Sequence, residues 1–125
     1  MDKQRIGFVG LGLMGSGMVK NLLAAGFPVV GYARDEKKVV ALRSLGCGKV
    51  DFPERMAAEV DVIILSLPGS HVVNEVVRNT LKLTESGRKG LIVIDTGTAD
   101  PILSEELAAQ LRAKGVEMLD APVSG

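Results

Sequence analysis

Apolar and polar positions alternate in blocks along this chain, and each block predicts an element. Residues 5–10 form a short apolar run of strand character, and 14–25 carry a helical pattern. PVVGY (28–32) predicts a second strand, and 36–45 a helix stopped by Gly46. KVDF (49–52) predicts a short third strand, followed by a short helix over 53–58. VDVIILSLP (60–68) is a strongly apolar strand. Residues 70–80 place Val72/Val73 and Val76/Val77 at helical spacing, although so many β-branched residues stiffen a helix. GLIVIDTG (90–97) predicts another strand. Asp100 then caps a helix with Pro101 at its first position, Glu105 and Glu106 near its positive end, and Leu103, Leu107 and Leu111 on its buried side. Gly115 ends that helix, and VEML (116–119) is a last strand.

Several of these strands are continuous apolar runs, not alternations. Such strands are buried on both faces, which requires a parallel sheet with helices on each side. Strand and helix candidates follow one another along the whole length, with no repeat, linker or low-complexity segment. The predicted fold is α/β: one doubly wound, mainly parallel six-stranded sheet with helices on both faces.

Composition narrows the function. The 125 residues are 46% hydrophobic, with 15 basic and 15 acidic side chains. That suits one domain over residues 1–125 with a substantial core. Balanced charge leaves no footprint for nucleic acid or an anionic membrane, and scarce aromatics leave no platform for stacked bases. No apolar stretch approaches the ~18 residues of a membrane span. Lys3 and Arg5 before an apolar run imitate a secretory signal, but the run is glycine-rich and passes directly into a helix pattern. Cys47 is the only cysteine and is expected to be a small apolar filler, which fits a cytoplasmic setting.

The densest chemistry lies at the start. RIGFVGLGLMGSGMVKNLLAAGF (5–27) contains Gly10-x-Gly12-x-x-Gly15 between a predicted strand and a predicted helix. Gly10 permits a tight turn, Gly12 lets a pyrophosphate approach the backbone, and Gly15 lets helix and strand pack closely. The first amides of the helix lack partners within it and face an anion, aided by the helix dipole. A tight corner without ligand is the alternative. Met14 and Met18 are expected to pack on the sheet, with Met14 also able to face the cofactor side.

The end of the second strand bears on which dinucleotide binds. An NAD site usually has an acidic residue there. Here the sequence is GYARDEKK: Ala33 at the strand end, then Arg34, with Lys38 one helical turn on. A guanidinium grips a 2′-phosphate through two hydrogen bonds, so NADP is favoured over NAD. Asp35 also lies at a suitable distance but is better explained as the N-cap of the next helix.

Other polar residues carry less. His71 is the only histidine and, without a Cys or carboxylate cluster, indicates no metal site; it is expected to be exposed and without chemistry. Asp61, Asp95 and Asp120 border apolar strands and are expected to shape loops. KLTESGRKG (82–90) is expected to be a solvated connection.

Together these segments resemble the β-hydroxyacid dehydrogenases, the family that includes 3-hydroxyisobutyrate dehydrogenase and tartronate semialdehyde reductase. GFVGLGLMGSGMVKNL resembles the family's glycine motif, YARDEKK the site where NADP-preferring members carry Asn-Arg-Ser/Thr-x-x-Lys, LSLPGS its Leu-Pro loop, DTGTADP its Asp-x-Ser-Thr-x-x-Pro stretch, and DAPVSG its substrate-binding motif. The resemblance implies a Rossmann domain in which Gly10, Leu11, Gly12, Leu13, Met14 and Gly15 surround the pyrophosphate. It also implies that Ala33, Arg34, Asp35 and Lys38 flank the 2′-phosphate, Leu67 and Pro68 the adenosine or central ribose, and Thr98 the nicotinamide. Ser124 and Gly125 would help bind a substrate carboxylate.

Two departures stand out: Ala33 replaces the usual Asn and Gly97 the usual Ser. The family's catalytic lysine sits in a Gly-x-x-x-Asn-x-x-Lys setting within a helical domain, expected downstream of this chain. The resemblance further implies hydride transfer with a small hydroxy acid or semialdehyde, and a homo-oligomeric full-length enzyme. The piece alone is expected to bind cofactor without turnover and to expose apolar surface near 119–123 that favours self-association. The competing expectation is a stand-alone nucleotide-binding module with a sensing or interaction role.

Overall fold

A computed structural model describes residues 3–97 and 101–121. The strands are β1 (Ile6–Val9), β2 (Val29–Tyr32), β3 (Gly48–Lys49), β4 (Val62–Leu65), β5 (Ile92–Asp95) and β6 (Glu117–Asp120). The α-helices are α1 (Leu13–Ala24), α2 (Glu36–Arg43), α3 (Met56–Glu59), α4 (Ser70–Glu75), α5 (Leu83–Ser86) and α6 (Pro101–Arg112). The sheet order is β3-β2-β1-β4-β5-β6 and every pairing is parallel. The chain leaves β1 toward one edge, then returns from β3 to β4 on the other side of β1. Right-handed crossovers therefore put α1 and α2 on one face and the later helices on the other. The carboxyl ends of β1 and β4 flank the point where the order reverses, where open α/β sheets leave a crevice.

Alternating side chains feed two cores. Phe8, Val29 and Val62 pack with Val19 of α1 and with Val39 and Leu42 of α2. Val9, Ile63, Leu65, Val93 and Met118 pack on the other face with Met56, Val73, Val77, Leu107 and Leu111. This is the two-sided burial that the continuous apolar runs predicted. One row on the α1 face, Phe8–Ile64–Ile94–Leu119, runs across β1, β4, β5 and β6. It is fully buried at Phe8 and 47% exposed at Leu119. The expected apolar exposure is thus present at Leu119, while Val123 lies outside the described residues.

Helix ends follow the glycines. Gly46 (φ 102°) and Gly115 (φ 80°) take left-handed conformations just past α2 and α6. Cys47 N–H then donates to Leu42 O, and Val116 N–H to Leu111 O. In α1, Gly17 is exposed and a Cβ there meets nothing within 4 Å. Gly17→Ala is therefore expected to stabilise the protein by about 0.5–1 kcal/mol, through lower unfolded-chain entropy. Urea unfolding checks it; a lower midpoint for the variant contradicts it.

Four local expectations are corrected. The third strand is Gly48–Lys49, not 49–52: Pro53 opens a 3-10 turn (Pro53–Arg55), and Phe52 turns outward beneath the Arg55 guanidinium, 5.1 Å from its ring centre. The 70–80 helix is α-helical only to Glu75 and continues as a π turn, Val76–Thr80. The 82–90 stretch is more than a solvated connection. Leu81 and Leu83 are fully buried on either side of the left-handed Lys82, and Arg88 donates to Ala57 O at 2.7 Å and to Val60 O. Met14 does not pack on the sheet but is 46% exposed at the crevice, whereas Met18 packs against the α1 core.

Candidate cofactor site

A cavity of about 900 Å³ opens at the carboxyl ends of β1, β2, β4 and β5. Its floor is the turn after β1. Gly10 sits at φ 95°, with its N–H donating to Tyr32 O at 3.1 Å, and a Cβ on it would run into the Ser66 carbonyl. A Cβ on Gly15 would run into Gly10 O and press on Phe8. These two glycines are demanded by the protein's own packing. Gly12 is different: its φ of −71° suits any residue, and a Cβ there meets nothing within 4 Å. It lines the cavity and N-caps α1, with no side chain capping the helix and no acidic residue in its first turn. Nothing among the described residues requires glycine there, so the open space suits an anion approaching uncapped amides. Leu11, Met14 and Gly15 border the same space, and Leu13 opens α1.

The end of β2 supplies Ala33, Arg34, Asp35 and Lys38 to the cavity wall. Asp35 caps α2 by accepting from Lys37 N–H at 3.0 Å, as its position suggested. The end of β4 supplies Leu67 and Pro68, and the end of β5 supplies Thr96 and Gly97. Thr96 is tied to β4 by its hydroxyl and its N–H, both donating to Leu65 O, at 2.7 and 2.9 Å. A Cβ on Gly97 would lie 2.6 Å from Leu67 O, so the loops after β4 and β5 approach too closely for the family's serine. Thr98, Ser124 and Gly125 lie outside the described residues.

Sequence reasoning missed one wall. His71, Val72, Glu75, Val76 and Thr80 also line the cavity, as does Tyr32 from the end of β2. The signal was available in the four-residue steps 68-72-76-80 and 71-75, which place each set along one side of a helix. His71 is exposed, as expected, yet it faces this space.

With this geometry in place, the sequence relationships are direct. Residues 5–125 match the family model of the NAD binding domain of 6-phosphogluconate dehydrogenase. The chain belongs to this family. It is 36% identical over 124 residues to mitochondrial 3-hydroxyisobutyrate dehydrogenase of Mus musculus, covering 99% of this chain and 37% of that relative. The Mycobacterium tuberculosis 3-hydroxyisobutyrate dehydrogenase structure, solved with L-serine, superposes with a TM-score of 0.88 at 31% identity, covering all of this chain and 42% of that one. Psf3, solved with NADP+ and 2-OPP, superposes at 0.86 with 28% identity over 96% of this chain and 43% of its own. The chain thus spans about two-fifths the length of these relatives, corresponding to the amino-terminal, nicotinamide-cofactor-binding domain of dehydrogenase-type oxidoreductases.

The border aspartates of this NAD-binding domain shape its loops. Asp61 accepts from Arg5 N–H at 2.9 Å and lies 3.6 Å from both Arg5 and Arg88. The Arg5 backbone N–H foremost, then its guanidinium and that of Arg88, hold the Asp61 carboxyl below its usual range. Asp95, at the end of β5, is fully buried: Oδ1 accepts from Gly97 N–H at 2.9 Å, and Oδ2 has no partner among the described residues. Burial pushes this carboxyl up, the Gly97 N–H opposes it, and Asp120 on the neighbouring strand adds to the rise.

A carboxyl raised in the folded state binds its proton more tightly there than in the unfolded chain. Its contribution is complete below the unfolded value near 4 and is lost as pH rises through the folded one. Asp95→Asn cannot ionise, so its melting temperature is expected to gain on the wild type as pH rises from about 4 through the folded value, and to hold that gain above it. Asp61 loses its contribution in the opposite direction, as pH falls, but does so equally in both proteins. Thermal melts across that range check this, and a pH-independent difference contradicts it.

Proposed function

We propose that this chain is the NADP-binding domain of an oxidoreductase acting on a small β-hydroxy acid or its semialdehyde. The observation that carries the reading is Gly12, a glycine with no internal steric duty, lining a cavity above uncapped helix amides. The cavity residues fit a dinucleotide. Gly10, Gly12 and Gly15, with Leu11, Leu13 and Met14, would hold the diphosphate. Arg34 would clasp the 2′-phosphate with Lys38 beside it, between Ala33 and Asp35. Leu67 and Pro68 would flank the adenosine side, and Thr98 the nicotinamide. Ser124 and Gly125 would bind the substrate carboxylate. When bound, the cofactor supplies or accepts the hydride; this chain's residues bind it, orient it and shield it from water.

The substrate class is supported by the 3-hydroxyisobutyrate dehydrogenases among the relatives and by the DAPVSG resemblance. A general acid–base lysine belongs to the helical domain expected after this segment. The isolated chain therefore binds cofactor without turnover. The whole enzyme would be a cytoplasmic homo-oligomer.

Calorimetric titration with NADPH and NADH tests the cofactor. NADPH is expected to bind at least about tenfold more tightly, since charge-assisted contacts to a phosphate are strong. Arg34→Ala should remove most of that preference while leaving NADH binding unchanged. Equal or tighter binding of NADH to the wild type overturns the phosphate assignment.

A further inference from the structure

The cavity wall opposite β2 is not used by the roles above. It is built from α4 and the π turn that continues it, where Leu81 N–H reaches back five residues to Val76 O at 2.8 Å. In an α-helix, positions four apart drift around the axis, because a turn holds 3.6 residues. The wider π turn absorbs that drift, and Val72, Val76 and Thr80 all line the cavity. π turns are concentrated at functional sites. Across the cleft stand Tyr32 and Ala33, so the two walls form a slot with mainly apolar sides, suited to a flat ring.

Glu75 stands on this wall, exposed and lining the cavity, immediately before the π turn. One of its oxygens accepts from Asn79 Nδ2 at 2.9 Å. An ionised carboxylate only accepts hydrogen bonds, so a base edge read by it must donate. At the edge formed by its 6-position and N7, adenine offers an exocyclic amine, whereas a 6-oxo purine offers only acceptors there. We propose that Glu75 is a specificity-determining residue that selects adenine through its exocyclic amine. This rests on the dinucleotide reading given above and adds to it the base and the residue that reads it.

The test is calorimetry on the 125-residue chain with NADPH and NADH, each paired with its hypoxanthine analogue, in which oxygen replaces the amine. The wild type is expected to bind each hypoxanthine form about tenfold more weakly, the scale of one hydrogen bond to a charged group. Glu75→Ala should bring each ratio to within about twofold. Glu75→Gln, whose amide also donates, should narrow or reverse the ratio. A wild-type ratio near one, or an unchanged ratio in Glu75→Ala, overturns the role of Glu75 while leaving the dinucleotide reading intact. Failure of both adenine cofactors to bind overturns the dinucleotide reading and this proposal with it.

Discussion

Gly10→Ala is expected to cost the protein about 3 kcal/mol or more of stability. The position has φ 95°, where an L side chain is strained, and the new Cβ would meet the Ser66 carbonyl and lie 3.0 Å from the Leu67 side chain. Neither obstacle can yield cheaply. Ser66 N–H donates to Val9 O at 2.9 Å, which ties its segment to the end of β1, and Gly10 N–H is itself bonded to Tyr32 O. Left-handed strain alone costs roughly 1–2 kcal/mol, and a backbone clash at a packed corner brings the total to about 3 kcal/mol or more. Denaturant unfolding measures it. A loss under about 1 kcal/mol would show that the β1 turn relaxes freely and is not the rigid corner described.

Gly12→Ala, two residues on, should behave in the opposite way. Its φ is ordinary and its Cβ would enter open space, so stability should fall by only about 0.5–1 kcal/mol, the gap between Gly and Ala at an N-cap. Cofactor affinity should fall by about a hundredfold or more, because the methyl group would occupy the space where a diphosphate meets the α1 amides. Paired urea melts and NADPH titrations on the same variant separate the two effects. Full affinity in a folded Gly12→Ala protein would remove the observation on which the functional proposal stands. The contrast between Gly10 and Gly12 matters more than either result, because the two are indistinguishable as letters in the motif.

Much of the fold was legible in the chain. Strands such as β4, VIIL over 62–65, show an unbroken apolar run, which suits a sheet covered on both faces. Gly46 and Gly115 marked helix ends correctly because positive φ is a local requirement. The stretch 82–90 was misjudged because its burial is tertiary. Leu81 and Leu83 are isolated apolar residues among charges, and Arg88 counts as a surface cation until the carbonyls of Ala57 and Val60 are brought to it. Of the candidate site, the turn after β1 and the end of β2 were found from motif spacing. The α4 wall with Glu75 was not, since its residues are ordinary helix positions until the cleft opens beside them.

By itself the sequence determined the order of elements, the parallel sheet and the placing of a glycine turn between strand and helix. All three follow from local periodicity and from conformations that only certain residues adopt. The tertiary structure alone decided which glycine is held by packing and which is open to a ligand, why Gly97 tolerates no side chain 2.6 Å from Leu67 O, and which helix completes the cavity. Each of these depends on atoms from segments far apart in the chain meeting within a few ångströms. Periodicity records that a residue is buried, but not what it is buried against.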